Sequence, residues 1–229
     1  MIPGGDVHRV DAAAVVVAAG QLRRRIAAAA ARPDAVTVVA VTKGFGRDAV
    51  DAALSAGLED IGENYAGELL GKARDGHAAG APTSGVPRWH YLGAIQRRRV
   101  RQLAPVVSCW HTVCRLVEGQ EIAVRAPGAT VLVQVDTTGS AARNGCAPGA
   151  TLELVDQLRL LPLQVVGLMT VAPPGPPDAA VEGFGQVASL AREAGLSELS
   201  MGMSGDLEVA LQAGATMLRV GRALFGERQ

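Results

Sequence analysis

The sequence predicts an α/β fold, a single (β/α)8 TIM barrel with an extra N-terminal helix. Eight short apolar segments alternate with helical segments along 229 residues, a length near the lower end of the range for such barrels. An open doubly wound sheet fits the same alternation, but no G-x-G-x-x-G turn follows the first strand, and a count of eight favours closure. No linker divides the chain, so we expect one domain over residues 1–229.

Each predicted element has its own signal. Residues 6–31 are Ala-rich without internal Pro and predict a first helix that ends before Pro33. The β-branched run at 36–42 predicts a strand buried on both faces. Further strands are predicted at 58–61, 89–92, 106–107, 130–135, 164–167, 198–200 and 217–220. Helices are predicted between them at 47–56, 65–73, 112–124, 151–160, 179–194 and 206–213, and a Gly/Ala/Pro-rich surface loop at 76–87.

Charge and cysteine content exclude several classes of protein. Basic and acidic residues number 22 each, whereas a protein that grips a phosphate backbone usually has a basic excess, so we expect no nucleic-acid partner. The arginine-rich run at 97–101 predicts a solvated helix face. The three cysteines, Cys109, Cys114 and Cys146, lack metal-type spacing and indicate reduced thiols in a cytoplasmic protein. No segment predicts a signal peptide or a membrane span.

One lysine stands where barrel enzymes carry out chemistry. Active sites of (β/α)8 barrels lie at the C-terminal ends of the strands, and Lys43 ends the first. Of 22 basic residues only Lys43 and Lys72 are lysines. A desolvated lysine amine can form an imine, which a guanidinium cannot. A lone lysine at a strand end is more often a salt-bridge partner, so this feature alone is a weak signal.

The loops after the seventh and eighth strands suggest a phosphate site. Ser204 and Gly205 run into the helix predicted at 206–213, and Gly221 and Arg222 precede a helical turn. Helix N-termini present backbone N–H groups and a positive dipole end, and barrels commonly bind phosphate in these two loops. Taken singly, each loop is explained better by an N-cap at Ser204 or a turn at Gly221 than by phosphate binding. A phosphate site facing Lys43 leaves two chemistries open, a Schiff-base aldolase for a sugar phosphate or bound pyridoxal 5′-phosphate (PLP).

A resemblance to a known family favours PLP. Six blocks occur in order: residues 41–43 (Val-Thr-Lys), 62–65 (Gly-Glu-Asn-Tyr) with Glu68 and Lys72, 89–93 (Trp-His-Tyr-Leu-Gly) with Gln96, 167–169 (Gly-Leu-Met), 199–204 (Leu-Ser-Met-Gly-Met-Ser) with Asp206, and 219–221 (Arg-Val-Gly) with 225–228 (Phe-Gly-Glu-Arg). Together they resemble the YggS/PROSC family of PLP homeostasis proteins, whose fold is similar to the N-terminal barrel of alanine racemase. The resemblance runs from about residue 36 to the C-terminus, and the block at 199–204 is long and specific.

The resemblance implies a role for each site residue. Lys43 would hold PLP as a Schiff base, Asn64 would lie beside the cofactor ring, and Arg219 would face the pyridine nitrogen. Ser204 and the backbone around Gly205 and Gly221 would hold the phosphate. A cation at the pyridine nitrogen disfavours its protonation and weakens the ring as an electron sink. The full predicted cofactor-binding set is Lys43, Asn64, Met203, Ser204, Gly205, Arg219, Gly221 and Arg222, with no metal and no catalytic residue.

Two positions depart from the family pattern. Arg222 stands where a small hydroxyl residue is usual, and it either grips the phosphate bidentately or points to solvent. The turn Gly44-Phe45-Gly46 replaces a Pro-containing turn, so we expect a looser loop after the lysine. Both departures bear on the affinity for PLP and leave the lysine and the Ser204 loop in place.

The function expected from these features is PLP homeostasis without efficient catalysis, that is, storing the cofactor and delivering it to apo-enzymes. The racemase takes its opposing base from a second domain and a partner subunit, and we expect this chain to lack both and to be a monomer. Two alternatives stay open: a PLP-dependent amino-acid racemase and a cofactor-free Schiff-base lyase. His90, within the third strand, is expected to be a satisfied core residue, and His111 has no spacing typical of a metal ligand.

Overall fold

Eight parallel strands close into a barrel in chain order in the computed structural model, which describes residues 10–78, 85–140 and 143–227. The first strand pairs with the second through Ala40 and Ile61 and with the eighth through Ala40 and Val220, which closes the sheet. The strands are β1 Thr37–Val41, β2 Asp60–Glu63, β3 Arg88–Tyr91, β4 Val107–Val113, β5 Ala129–Gln134, β6 Leu163–Met169, β7 Glu198–Ser200 and β8 Met217–Val220. The predicted (β/α)8 barrel is confirmed.

Helices surround this barrel. They are α1 Ala12–Ala29, α2 Arg47–Ser55, α3 Ala66–Ala78, α4 Arg97–Leu103, α5 Leu116–Arg125, α6 Thr151–Arg159, α7 Val181–Glu193, α8 Leu207–Gln212 and α9 Arg222–Phe225. Short 3₁₀ turns at Pro33–Ala35, Pro148–Ala150 and Pro177–Ala180 begin at prolines, whose fixed φ suits a first helical position.

The extra N-terminal helix is real and packs beside α2, α8 and α9. Asp11 caps it by accepting the N–H groups of Ala13 and Ala14 at 2.9 and 3.3 Å. Its buried positions, spaced four, three and four residues apart, form one apolar stripe: Val15, Ala19, Leu22 and Ile26. The helix begins six residues later than predicted, and residues 6–9 of the prediction lie outside the described residues.

The largest difference from the sequence prediction is β4. The apolar pattern predicted only residues 106–107 as strand and placed 112 and 113 in a helix, whereas the strand continues to Val113 and α5 begins at Leu116. Its buried polar side chains, His111 and Thr112, have hydrogen-bond partners. The Thr112 hydroxyl donates to the Gly93 carbonyl at 2.6 Å, and His111 is hydrogen-bonded at both ring nitrogens. A strand with satisfied polar side chains does not show an apolar run, so the pattern missed it.

Other differences are small. Strand β2 begins two residues later than predicted, and α3 extends through residues 76–78 of the predicted loop. Residues 79–84 of that loop, and Arg228 of the last family block, lie outside the described residues. The arginine-rich run forms the start of α4 and is exposed, as predicted for a solvated face.

Two further expectations concern bonding and membranes. The three cysteines are free thiols. Within the described ranges, no helix combines the length and apolarity that crossing a membrane requires.

Candidate functional site

All eight predicted cofactor-binding residues line one cavity of about 840 Å³ at the C-terminal ends of the strands. They come from the ends of β1, β2, β7 and β8: Lys43, Asn64, Met203, Ser204, Gly205, Arg219, Gly221 and Arg222. A proline-rich loop after β6, residues 173–177, forms another part of the wall. The structure therefore brings the predicted set together, while their contact with a cofactor stays a prediction.

The turn that carries Lys43 is anchored on both sides. Lys43 lies two residues beyond β1, half-buried, and Gly44 has a φ of 77°, which favours glycine. The Gly44 N–H donates to Glu68 Oε2 at 2.8 Å, and the Phe45 N–H donates to the Thr42 carbonyl at 3.1 Å. The Phe45 ring packs against Phe225 with ring centroids 5.5 Å apart. These contacts of Glu68 and Phe225 oppose the looseness that we expect from the absence of a proline, and the looseness of the turn stays a prediction.

A buried ion pair between Lys72 and Glu63 supports the C-terminal end of β1. Lys72 Nζ donates to Glu63 Oε1 and to the Thr42 carbonyl, the latter at 2.7 Å. The Thr42 hydroxyl donates to Glu63 Oε1 at 2.6 Å. Burial raises the pKa of Glu63, although the hydrogen bonds from Lys72 and Thr42 act in the opposite direction. Lys72 is thus part of a buried structural ion pair, and Lys43 is the lysine that lines the cavity.

The loops after β7 and β8 are tied together by Ser204. Its hydroxyl accepts the Ala223 N–H at 3.1 Å, and Asp206 Oδ1 accepts the Met203 N–H at 2.5 Å. Within the part of the chain that the structure describes, four neighbouring backbone N–H groups donate to no protein acceptor: those of Ser204, Gly205, Gly221 and Arg222. The sequence prediction named backbone N–H groups and helix dipoles together. Helices α8 and α9 have only six and four residues, so the unpaired N–H groups matter more than the dipoles.

Two glycines determine the backbone path at the edge of the cavity. Gly202 has a φ of 91°, and a Cβ there would lie 2.6 Å from the Ala210 Cβ, so only glycine fits the turn after β7. A Cβ on Gly93 would lie 1.9 Å from the Asn64 carbonyl oxygen. The glycine that ends the third family block therefore allows the chain to pass close to Asn64 and sets its position at the cavity.

Arg219 presents a buried guanidinium at the cavity wall. Its Nη1 donates to the Ser200 carbonyl at 2.6 Å and to the Ser200 hydroxyl at 2.8 Å, and its Nη2 donates to the Thr170 carbonyl at 2.7 Å. Burial lowers the pKa of Arg219 to about 10, while Asp206 acts to raise it. The group stays a cation at neutral pH. Sequence reasoning named Arg219 but missed its two anchors, which could have been sought among the small polar residues at neighbouring strand ends.

Beside Arg219 begins a chain of polar side chains that sequence reasoning did not find, three of them buried and the last, Asp60, partly buried. His90 Nδ1 is 2.7 Å from His111 Nε2, and His111 Nδ1 is 2.9 Å from the Ser200 hydroxyl. His90 Nε2 is 2.9 Å from Asp60 Oδ1. The prediction that His90 is a satisfied core residue is confirmed. Cys109 pairs with His90, and strand alternation places His111 on the same face as Cys109. A longer predicted β4 would therefore have brought His111 close to His90.

Two arginines border the cavity in different ways. Arg143, left unassigned by the sequence, donates through Nη1 to the Val171 and Ala172 carbonyls at 2.8 and 2.7 Å, which joins the loop after β5 to the segment after β6. Arg222 lines the cavity and is exposed. Its guanidinium is therefore available to solvent and to an anion in the cavity.

Comparison with known proteins agrees with the family resemblance. The family described as "Alanine racemase, N-terminal domain" matches residues 17–229. The pyridoxal phosphate homeostasis protein of Pseudomonas aeruginosa is 38% identical over 209 residues, which is 86% of each chain. The protein of that name from Escherichia coli (strain K12) is 33% identical over 213 residues, 86% of this chain and 87% of that one.

A solved structure agrees in fold. PipY of Synechococcus elongatus, solved with PLP bound, superposes with a TM-score of 0.80 at 28% identity. The match covers 93% of this chain and all of PipY. The barrel is therefore similar over nearly its whole length to that of a protein seen with the cofactor.

Proposed function

Since the chain belongs to the family of pyridoxal phosphate homeostasis proteins, within the alanine racemase N-terminal domain family, we propose that it binds PLP at the barrel mouth and serves PLP homeostasis. The observation that carries the proposal is the single cavity that collects the Lys43 amine, unpaired backbone N–H groups and the buried Arg219 guanidinium. PLP-bound PipY supports it, because a protein of the same fold holds this cofactor.

The donor set fits the three polar ends of PLP. The cofactor presents an aldehyde, a phosphate and a pyridine nitrogen. Lys43 is the lysine that lines the cavity, and its amine is the group that would hold the cofactor covalently through the aldehyde. The anchored turn at Gly44 fixes where that amine emerges, since the Glu68 carboxylate and the Phe225 ring limit its backbone motion.

The phosphate would be held by the two tied loops. Ser204 supplies a hydroxyl, and the N–H groups of Ser204, Gly205, Gly221 and Arg222 need acceptors that a phosphate offers. Asp206 stabilises the loop after β7 by accepting the Met203 N–H. Arg222 adds a cation at the solvent side, which we assign to attraction of the phosphate and not to a buried bidentate contact, because the residue is exposed.

The ring nitrogen would face Arg219. Bound PLP supplies an electron sink for carbanion chemistry, most effectively when its ring nitrogen is protonated. Arg219 has only donors and is held as a cation, so it opposes that protonation. The cavity is thus better suited to binding the cofactor than to using its ring as an electron sink for carbanion chemistry.

Storage and delivery fit this cavity better than racemisation does. Among the described residues lining it, the side chains that could act as bases are Lys43 and two carboxylates, Asp206 and Glu227, and Glu227 is exposed to solvent. Asp206 is already engaged by the Met203 N–H. A two-base racemisation needs a base on the face opposite Lys43. We therefore propose that the protein stores PLP and passes it to apo-enzymes without efficient catalysis.

Borohydride trapping followed by peptide mass analysis tests the binding proposal. The chain has two lysines, so the PLP adduct is expected on Lys43, with Lys72 as an internal control because it is buried in an ion pair. Lys43→Arg keeps the charge but cannot form the covalent bond, and it should abolish the adduct. An adduct spread over Lys72 and the N-terminus, or unchanged in Lys43→Arg, would contradict the proposal. Racemisation of a free amino acid at ordinary enzyme rates would contradict the storage role.

A further inference from the structure

Three buried side chains and the partly buried Asp60 connect the Arg219 guanidinium at the cavity wall to the far side of the barrel. Asp60 begins β2, His90 and His111 lie in β3 and β4, and Ser200 ends β7. Consecutive polar atoms are 2.9, 2.7 and 2.9 Å apart, and Ser200 Oγ lies 2.8 Å from Arg219 Nη1. At the other end, Asp60 also accepts two bonds from the exposed Arg88, at 2.8 and 2.7 Å. A continuous line of hydrogen bonds therefore joins a buried cation to a carboxylate.

The two ends of this line fix the direction of its protons. A guanidinium only donates, so Ser200 Oγ accepts from Arg219. A carboxylate only accepts, and Asp60 is ionised at neutral pH, so His90 Nε2 must carry a proton toward it. One proton then has to lie between His90 Nδ1 and His111 Nε2, and one between His111 Nδ1 and Ser200.

One ordering satisfies every group without adding a charge. Ser200 donates to His111 Nδ1, His111 Nε2 donates to His90 Nδ1, and His90 Nε2 donates to Asp60. The reverse ordering between the histidines requires a proton on both nitrogens of His90 and leaves the Ser200 hydroxyl proton without an acceptor in this line. His111 is fully buried, and an added charge nearby is costly in such surroundings.

We propose that Asp60, His90, His111 and Ser200 form a proton-ordered chain, with both histidines neutral, that positions the Arg219 guanidinium at the wall of the cofactor cavity. The positioning role rests on the proposed function, because Arg219 matters there as the group that would face the PLP ring nitrogen. Ser200 is the link through which the chain acts, since it contacts Arg219 through both its carbonyl and its hydroxyl.

A metal site is the competing interpretation of the same residues. Ligand atoms of His90, Cys109 and His111 lie within 4.8 Å of one another. The lone pairs that a metal would need are used, because His90 Nδ1 and His111 Nε2 face each other at hydrogen-bond distance. The hydrogen-bonded chain therefore accounts for the geometry better than a metal does.

Nitrogen-15 NMR of the histidine rings tests the proton order directly, with and without PLP. We expect His90 and His111 to be neutral near pH 7 and both to carry the proton on Nε2, unchanged by added zinc. A doubly protonated His90, an Nδ1-protonated ring, or zinc-induced shifts of both rings would overturn the inference. This measurement does not need the cofactor. The wrong tautomers together with PLP adducts on Lys43 would therefore overturn the proton-ordered chain without contradicting the proposed function.

A pair of Ser200 variants tests the positioning role. Ser200→Ala removes the hydroxyl between His111 and Arg219, so the guanidinium loses one of the hydrogen bonds that orient it. We therefore expect about tenfold weaker PLP binding, with an altered absorbance spectrum of the bound cofactor. Ser200→Thr keeps the hydroxyl and should restore both. Variants that lose stability while affinity and spectrum stay at wild-type values would show a structural role alone and overturn the inference. Correct tautomers without any PLP binding would overturn the positioning role along with the proposed function.

Discussion

Lys72 Nζ donates to the carbonyl of Thr42 at 2.7 Å, one residue before the lysine that lines the cavity. The same ammonium pairs with the fully buried Glu63 and lies 3.4 Å from Glu68 Oε2, which also accepts the Gly44 N–H. Helix α3 thus holds the backbone on both sides of Lys43, through Lys72 at Thr42 and through Glu68 at Gly44. The two lysines of the chain have separate tasks, since one is exposed to the cavity and the other fixes its turn.

Removing the buried cation should cost stability and loosen that turn. Lys72→Met leaves the Glu63 carboxylate buried without its partner, and we expect about 3–5 kcal/mol loss in the free energy of unfolding. Urea denaturation measures the loss, and amide hydrogen exchange should become faster at Gly44 and Phe45.

The matched control for this pair changes the other partner as well. Lys72→Met combined with Glu63→Gln removes the uncompensated charge, so the double variant should be more stable than Lys72→Met alone. A double variant that loses as much as the sum of the two single variants would show that Lys72 and Glu63 do not act as a pair.

The fold and the cavity lining were predictable because both depend on periodic or local features of the sequence. Parallel strands buried on both faces read as apolar runs, and sites in such barrels lie at strand ends, so Lys43, Ser204 and Gly221 could be placed without coordinates. The family resemblance then supplied Asn64 and Arg219, which residue spacing alone did not assign.

The interior polar contacts were not predictable, because they join residues far apart in sequence. His111 and Ser200 are 89 positions apart, and Arg219 and Thr170 are 49 apart. Polar residues such as His111 interrupt the apolar run of their strand, which is why β4 was predicted too short. Only the strand register, which pairs His90 with Cys109, brings the two rings together.

Ser204 should matter for the phosphate and not for the rest of the cofactor. We expect Ser204→Ala to weaken PLP binding by about tenfold, the loss typical of one hydrogen bond to a charged group. Pyridoxal, which lacks the phosphate, should bind wild type and variant equally, and fluorescence or absorbance titration measures both ligands. An equal loss for pyridoxal would mean that the hydroxyl acts only by tying Ala223 to this loop.

Gly202 should not tolerate a side chain. In Gly202→Ala the new Cβ meets Ala210 at 2.6 Å in a left-handed backbone, so we expect a loss of about 2–4 kcal/mol in unfolding free energy. Gly71→Ala is the matched control, because it lies in α3 with open space around its Cβ position and should be neutral or slightly stabilising. Equal unfolding midpoints for the two variants would contradict the steric account of this turn.

Asp60 should make part of the stability depend on acid pH. Burial would raise its pKa, but hydrogen bonds from His90 and Arg88 lower it to about 2, below the ordinary value of 3.8. A carboxylate with a lowered pKa in the folded state adds stability that is present above its unfolded pKa and is lost as the pH falls toward the folded one. We expect Asp60 to contribute about 1–2 kcal/mol, allowing for screening around the exposed Arg88, and urea unfolding between about pH 5 and pH 2.5 measures it. Asp60→Asn cannot ionise, so the difference in unfolding free energy between wild type and this variant should shrink over that range. A difference that stays constant would show that the ionised carboxylate is not what anchors His90.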